Sequence, residues 1–228
     1  MSYGVASLKV SILILTHNAP RYVWKSLSSL RSLTENVDYE VVVVDNASSA
    51  VTRLLLLFLK AWGRIHKLCF LDYNSLYAEG NNIASRLAGS DATHLLLLNS
   101  DVEVRSPDWL TVLTREHEEG ASSFGVVRGD PISRLDGYCF LVDKRLFDQF
   151  QLDESYQWFW AVTKLQAELL NAGYSVRGYD SHDDYLLHFG GKSGTDFRSA
   201  RGMGVDREQV VAWFEGRAVC IVDRPPPS

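Results

Sequence analysis

Apolar residues come in short dense runs broken by polar clusters, and that rhythm predicts strands alternating with helices. Val10 to Leu15, Tyr39 to Val44, Lys67 to Leu71 and Thr93 to Leu98 have strand length. The second run holds four valines and the last four leucines, which suits strands buried on both faces of a parallel sheet. Between them, Val23, Leu27, Leu30 and Leu33 recur at helical spacing after Pro20, a fitting first helical position. A second helix is expected from Leu54 to Trp62, closed by Gly63. A short helix is expected over Ile83 to Leu87, with Gly80 in the loop before it. Such alternation means βαβ units.

The second half is less regular. A helix is expected from Pro107 to about Glu119, strands at Val126-Val127 and Tyr138 to Val142, and a helix over Arg145 to Phe150. Trp158, Val162, Leu165 and Leu169 form a helical stripe that stops at Gly173; Trp158 and Trp160 read as core or as an acceptor groove. Short strands are expected at Ser175 to Gly178, Asp184 to Phe189 and Ala218 to Val222, with a helix over Arg207 to Phe214. The glycine-rich stretch from Gly190 to Gly204, with Lys192, Arg198 and Arg201, reads as a mobile loop of cationic reach or as a plain connector.

Four successive strands end in polar residues: Thr16-His17-Asn18, Asp45-Asn46, Asp72-Tyr73-Asn74 and Asn99-Ser100-Asp101. The ends of parallel strands share one edge, where open α/β sheets bind ligands. Asp101 is placed there to hold a metal or a substrate. Polar turns that merely end strands are the competing reading, and Asn18 serves equally as a helix cap. No Gly-x-Gly-x-x-Gly follows the first strand, no phosphate loop exists, and Ser100 lacks a nucleophile elbow. Those absences argue against dinucleotide, P-loop and hydrolase chemistry.

Composition narrows the partners. The 228 residues, 46% hydrophobic and 22% charged, suit one large α/β domain. A net charge of -5 with no basic cluster along the sequence argues against nonspecific nucleic-acid binding. Cations for a phosphate ligand must then be local. Cys69, Cys139 and Cys220 lie far apart in apolar runs and read as buried thiols of a reducing compartment. The longest apolar run, Leu54 to Leu59, is too short to span a bilayer. A cytoplasmic location is expected, with the oligomeric state open.

These pieces, in order, resemble the GT-A-fold family 2 glycosyltransferases. The resemblance rests on Val10 to Asn18, Val43 to Ser48, Gly80-Asn81-Asn82, Leu98 to Val102, Asp136 to Val142, Ala172-Gly173-Tyr174 and His188 to Ser193. It implies a Rossmann-like, mostly parallel sheet flanked by helices. The proline-rich end, 223–228, reads from its composition as a disordered tail, and the resemblance divides a domain over residues 1–222 into a nucleotide half (about 8–104) and an acceptor half (about 105–222). It also implies a nucleotide-diphospho-sugar donor, UDP- or dTDP-linked, and an acceptor left unspecified. By position, Thr16, Asn18, Asp45, Asn46, Asn81, Asn99 and Lys192 become nucleotide contacts. Asp101, in an Asn-Ser-Asp version of the family's Asp-X-Asp motif, and His188 become ligands for Mg²⁺ or Mn²⁺. His188 is otherwise a satisfied strand-end histidine.

One departure stands out. Inverting members carry Glu-Asp before Ala-Gly-Tyr, and its Asp removes the acceptor's proton. Here those places hold Ala161 and Val162, with Lys164 where another acid is common. Asp136, Asp153 and Glu154 are the replacement candidates, although acids also favour helix starts; a retaining or substrate-assisted course is the other way to do without that base. The expectation is a metal-dependent glycosyltransferase. A degenerate nucleotide-sugar-binding protein and a sugar nucleotidyltransferase are the alternatives.

Overall fold

The computed structural model describes residues 8–180, 182–192 and 199–223. The chain begins β1 (Lys9–Thr16), α1 (Pro20–Leu33), β2 (Asp38–Asn46), α2 (Ala50–Ala61), β3 (Lys67–Leu71), α3 (Leu76–Leu87), β4 (His94–Leu98) and β5 (Val102–Val104). It continues with α4 (Trp109–Arg115), β6 (Gly120–Ser123), β7 (Val126–Val127), β8 (Arg134–Leu135), β9 (Cys139–Asp143), α5 (Lys144–Phe150) and α6 (Trp158–Asn171). The last elements are β10 (Ser175–Tyr179), α7 (His182–Tyr185), β11 (Leu186–His188), α8 (Arg207–Trp213) and β12 (Cys220–Val222).

Among the described residues, eight strands form the central sheet in the order β12-β10-β6-β9-β4-β1-β2-β3. β1 pairs in parallel with β2 and with β4. β9 alone runs against its neighbours, pairing antiparallel with β4 and β6. Period-two alternation divides the strand side chains between two cores. Ile12, Ile14, Leu96 and Leu98 pack under α1, α2 and α4, whereas Leu13, Leu95 and Leu97 pack under α3, α5 and α6. Both faces are covered, which is why these strands read as unbroken apolar runs.

Several boundaries differ from expectation for identifiable reasons. α3 begins at Leu76, not Ile83, so Gly80, Asn81 and Asn82 lie inside a helix. That helix approaches β1 closely: a Cβ on Gly80 would lie 2.9 Å from Leu15 Cδ1. The polar pair is internal because its amides bond to backbone, Asn82 Nδ2 donating to the Leu152 carbonyl at 2.9 Å. α4 stops at Arg115 and gives way to β6, a Gly-Ala-Ser-Ser strand with no apolar alternation to announce it. The stretch expected as a strand from Asp184 begins as α7 and becomes β11 only at Leu186. Cys220 is exposed on the edge strand β12, not buried as expected, while Cys139 is buried. The expected cationic loop falls partly, and the expected tail almost wholly, outside the described residues.

Candidate active site

The C-terminal ends of β1, β2 and β4 meet the N-terminal approach to β9 at one rim. A cavity of about 340 Å³ opens there, lined among others by Thr16, Asn46, Asn81, Asn99, Asp136 and His188. The β1–β2 edge is stitched tightly. Thr16 Oγ1 donates to Asp45 Oδ1 at 2.9 Å, and Asp45 Oδ2 accepts from the Ser48 N–H at 3.1 Å and Arg53 Nε at 3.2 Å. Asp45 therefore stands behind the wall and fixes Thr16. Asn46 accepts from Ser75 Oγ at 2.5 Å and donates to the Leu76 carbonyl at 3.1 Å. Asn81 donates to the Tyr77 carbonyl at 2.9 Å.

Asn18 is exposed and does not line the cavity. Its Oδ1 accepts from the Ser49 N–H at 2.8 Å, the N-cap residue of α2. Asn18 and Ala19 both take left-handed backbone angles, φ 57° and 54°, so this turn holds strain of order 1 kcal/mol or more per residue. The neighbouring bonds to Ser48 and Ser49 hold it in place.

At the β4 end, Asp101 is buried and His188 of β11 reaches it from across the rim. Nε2 of His188 and Oδ1 of Asp101 face each other at 3.4 Å. Neither atom has a hydrogen-bond partner among the described residues, although both are shielded from solvent. The second carboxylate oxygen accepts from the Lys192 N–H at 3.0 Å. Lys192 thus reaches the site through its main chain, its side chain being exposed. The His188 ring stacks on Tyr138 with centroids 4.4 Å apart, which fixes its direction. Burial pushes the Asp101 carboxyl up, but His188 and the Lys192 N–H outweigh it and hold the carboxyl below its ordinary value. A buried carboxylate oxygen and an imidazole nitrogen left unbonded face to face are ligand types that a divalent cation takes.

Residues 11–150 match the family model described as Glycosyl transferase family 2. The chain belongs to this family. No curated protein matches it in sequence. Among solved structures it is similar to the mannosyltransferase PcManGT from Pyrobaculum calidifontis, in complex with GDP-Man and Mn²⁺. That match has TM-score 0.62 and 17% identity, covering 75% of this chain and 54% of the other. It is also similar to S. aureus TarS 1-349 in complex with UDP, with TM-score 0.55 and 18% identity over 70% of this chain and 55% of that one. GalNAc-T7 with UDP, GalNAc and Mn²⁺ gives TM-score 0.61 and 13% identity over 75% and 42%. The chain spans about half the length of these structures. At such identities the likeness establishes the GT-A fold of this family 2 member.

In this family 2 chain the positions where acids were expected lie inside α6. Ala161 and Val162 of α6 are fully buried in the apolar core. Lys164 forms an ion pair with Asp153, and Glu154 accepts from Asn82 Nδ2 at 3.0 Å. Asp153 and Glu154, expected as alternatives for the base, are thus committed elsewhere and do not line the cavity. Asp136 does line it, and its carboxylate bonds to no described residue. Sequence reasoning overlooked Tyr138, Tyr77 and Gln157. Tyr77 Oη donates to the Gly137 carbonyl at 3.1 Å. Gln157 Oε1 accepts from the N–H groups of Tyr77 and Ala78 at 2.9 and 3.0 Å, capping the first turn of α3 from the far half of the chain. No local pattern marks such long-range caps. Trp158 and Phe159 line the cavity, whereas Trp160 turns away and donates from Nε1 to the Met203 carbonyl at 3.0 Å.

A second group of ligand-type side chains, His94, His117 and Asp143, gathers at the opposite end of β4. His117 bonds to Ser122 and Asp143 at 2.8 and 3.1 Å, and Asp143 also accepts from the Gly120 N–H at 2.7 Å. These bonds tie β9 to the α4–β6 turn, away from the cavity.

Proposed function

We propose that the chain is a metal-dependent glycosyltransferase using a uridine- or thymidine-type nucleotide-diphospho-sugar. The observation that carries this reading is the unbonded pair of Asp101 Oδ1 and His188 Nε2, at 3.4 Å, of which His188 lines the cavity and Asp101 lies buried behind it. Asp101 and His188 would hold the cation, and Mn²⁺ suits an imidazole ligand better than Mg²⁺ does. When bound, it would stabilise the charge that develops on the departing diphosphate. Thr16, Asn46, Asn81 and Asn99 supply amide and hydroxyl groups for the nucleotide. Tyr138 keeps the His188 ring aimed at Asp101. Asp136 takes the proton from the acceptor hydroxyl, the part its unengaged carboxylate suits. The uridine-bound neighbours support the nucleotide choice, and the mannosyltransferase complex with GDP-Man marks the competing one.

Calorimetric titration of UDP with and without Mn²⁺ tests this reading. Affinity is expected to rise with Mn²⁺ in the native chain and to lose that rise in Asp101→Ala and His188→Ala. Equal affinity with and without the metal in the native chain would overturn it.

A second reading, a binding protein that no longer transfers sugar, is favoured by the burial of Ala161 and Val162 where acids are usual. Donor binding without transfer over a broad acceptor panel would decide for it.

A further inference from the structure

α1 and α2 lie side by side over β1 and β2, and α2 is apolar on its outer face as well as its inner one, with Arg53 and Lys60 together along one side. Thr52, Leu56 and Leu59 enter the core, but Leu54, Phe58 and Trp62 remain 67%, 54% and 51% exposed, with Val51 and Leu57 beside them. Large apolar side chains on the outer face of a surface helix depart from the usual pattern of a polar outer face. Trp24 of α1 joins the patch, its ring 5.7 Å from Trp62 and 6.3 Å from Phe58. A contiguous exposed apolar surface of this kind marks an interaction site.

The charge around it is one-sided. Residues 20–33 and 47–71 contain no Asp or Glu, in a chain whose net charge is -5. Arg21 and Arg31 are exposed and flank Trp24 along the same face of α1, at helical spacing. The Arg64 guanidinium lies 4.4 Å from the centre of the Trp62 ring, and Lys60 is exposed near Leu57. Sequence reasoning found no basic cluster because these cations are spread over two helices that only the fold joins.

We propose that the α1–α2 face docks on an anionic lipid bilayer. Tryptophans among aliphatic side chains, rimmed by Arg and Lys, match the boundary between acyl chains and headgroups. A second copy of this chain fits less well, because a two-fold contact would set one acid-free basic face against another. The attachment is peripheral, since no helix among the described residues is long and apolar enough to cross a membrane.

Flotation of the full chain with vesicles tests the proposal. Binding to phosphatidylglycerol-containing vesicles is expected, with little to phosphatidylcholine alone, and with loss on adding salt. Phe58→Ser with Trp62→Ser, and separately Arg21→Glu with Arg64→Glu, should each weaken partitioning about tenfold or more. Lipids brominated in the acyl chains should quench tryptophan fluorescence in the native chain and much less in Trp24→Phe with Trp62→Phe. Melting temperature and UDP affinity should stay unchanged in all variants, which separates a failure here from a failure of the donor site. Absence of binding to anionic vesicles would overturn the proposal. So would equal, salt-insensitive binding to neutral vesicles, or a dimer in sedimentation equilibrium that the Phe58→Ser, Trp62→Ser variant dissolves.

Discussion

Val162 packs against the backbone of Gly137 so closely that a Cβ on Gly137 would lie 2.8 Å from Val162 Cγ2. The position that carries the acid in inverting relatives is here a contact between α6 and the turn leading into β9. Val162→Asp should therefore destabilise the fold by about 3 kcal/mol or more, since a carboxylate enters a site without polar partners. It should not raise transfer activity. Urea denaturation and a transfer assay on the same protein check both halves; a gain in turnover would show that the position still faces the acceptor.

Asp136→Asn keeps the shape and removes the proposed base. Turnover is expected to fall by about 10²–10⁴-fold with donor affinity nearly unchanged. Asp153→Asn should behave oppositely, lowering stability modestly through its lost ion pair with Lys164 while leaving turnover close to native. Steady-state kinetics of the two variants side by side make the comparison.

The Asp101 carboxyl is held below its ordinary value against its own burial. Its folded-state value is lowered, so the stability it contributes is fully present above its unfolded value of ~3.9. That contribution is lost as pH falls through the lower folded value. Urea midpoints of the metal-free native chain and of Asp101→Asn should accordingly converge on acidification and separate above about pH 4. A gap that stays constant across this range would mean that the carboxylate charge adds nothing to stability.

Gly120 opens β6 at φ 145°, and a Cβ there would fall 1.8 Å from the Ser175 carbonyl oxygen of β10. The obstacle is backbone in the paired strand, so neither partner moves without breaking the ladder. Gly120→Ala is expected to cost about 3 kcal/mol or more, the range of severe overpacking. Thermal denaturation measures it. A melting temperature close to native would show that β6 and β10 can separate freely at that end.

The first half of the chain was legible because β1, β2 and β4 are buried on both faces and announce themselves as apolar runs, with polar clusters at their ends. Thr16, Asn46, Asn99 and His188 accordingly fall at one rim. Asp45 and Asn18 fall behind or beside it, because a polar residue at a strand end serves the turn as readily as a ligand, and position alone does not distinguish the two. The second half was harder. β6 is built from Gly-Ala-Ser-Ser, whose burial comes from its neighbours, not from its own hydrophobicity. Gln157, whose oxygen caps α3, sits 80 residues from Tyr77, a distance that no periodic pattern spans.

The reversal of β9 has a geometric consequence. Because it runs opposite to β4, its leading residues emerge where β4 finishes, and Asp136 arrives beside Asn99 although the chain is travelling the other way. One flipped strand thus brings loops from chain entrances and chain exits to a single border. Two reactants can be met there without widening the sheet.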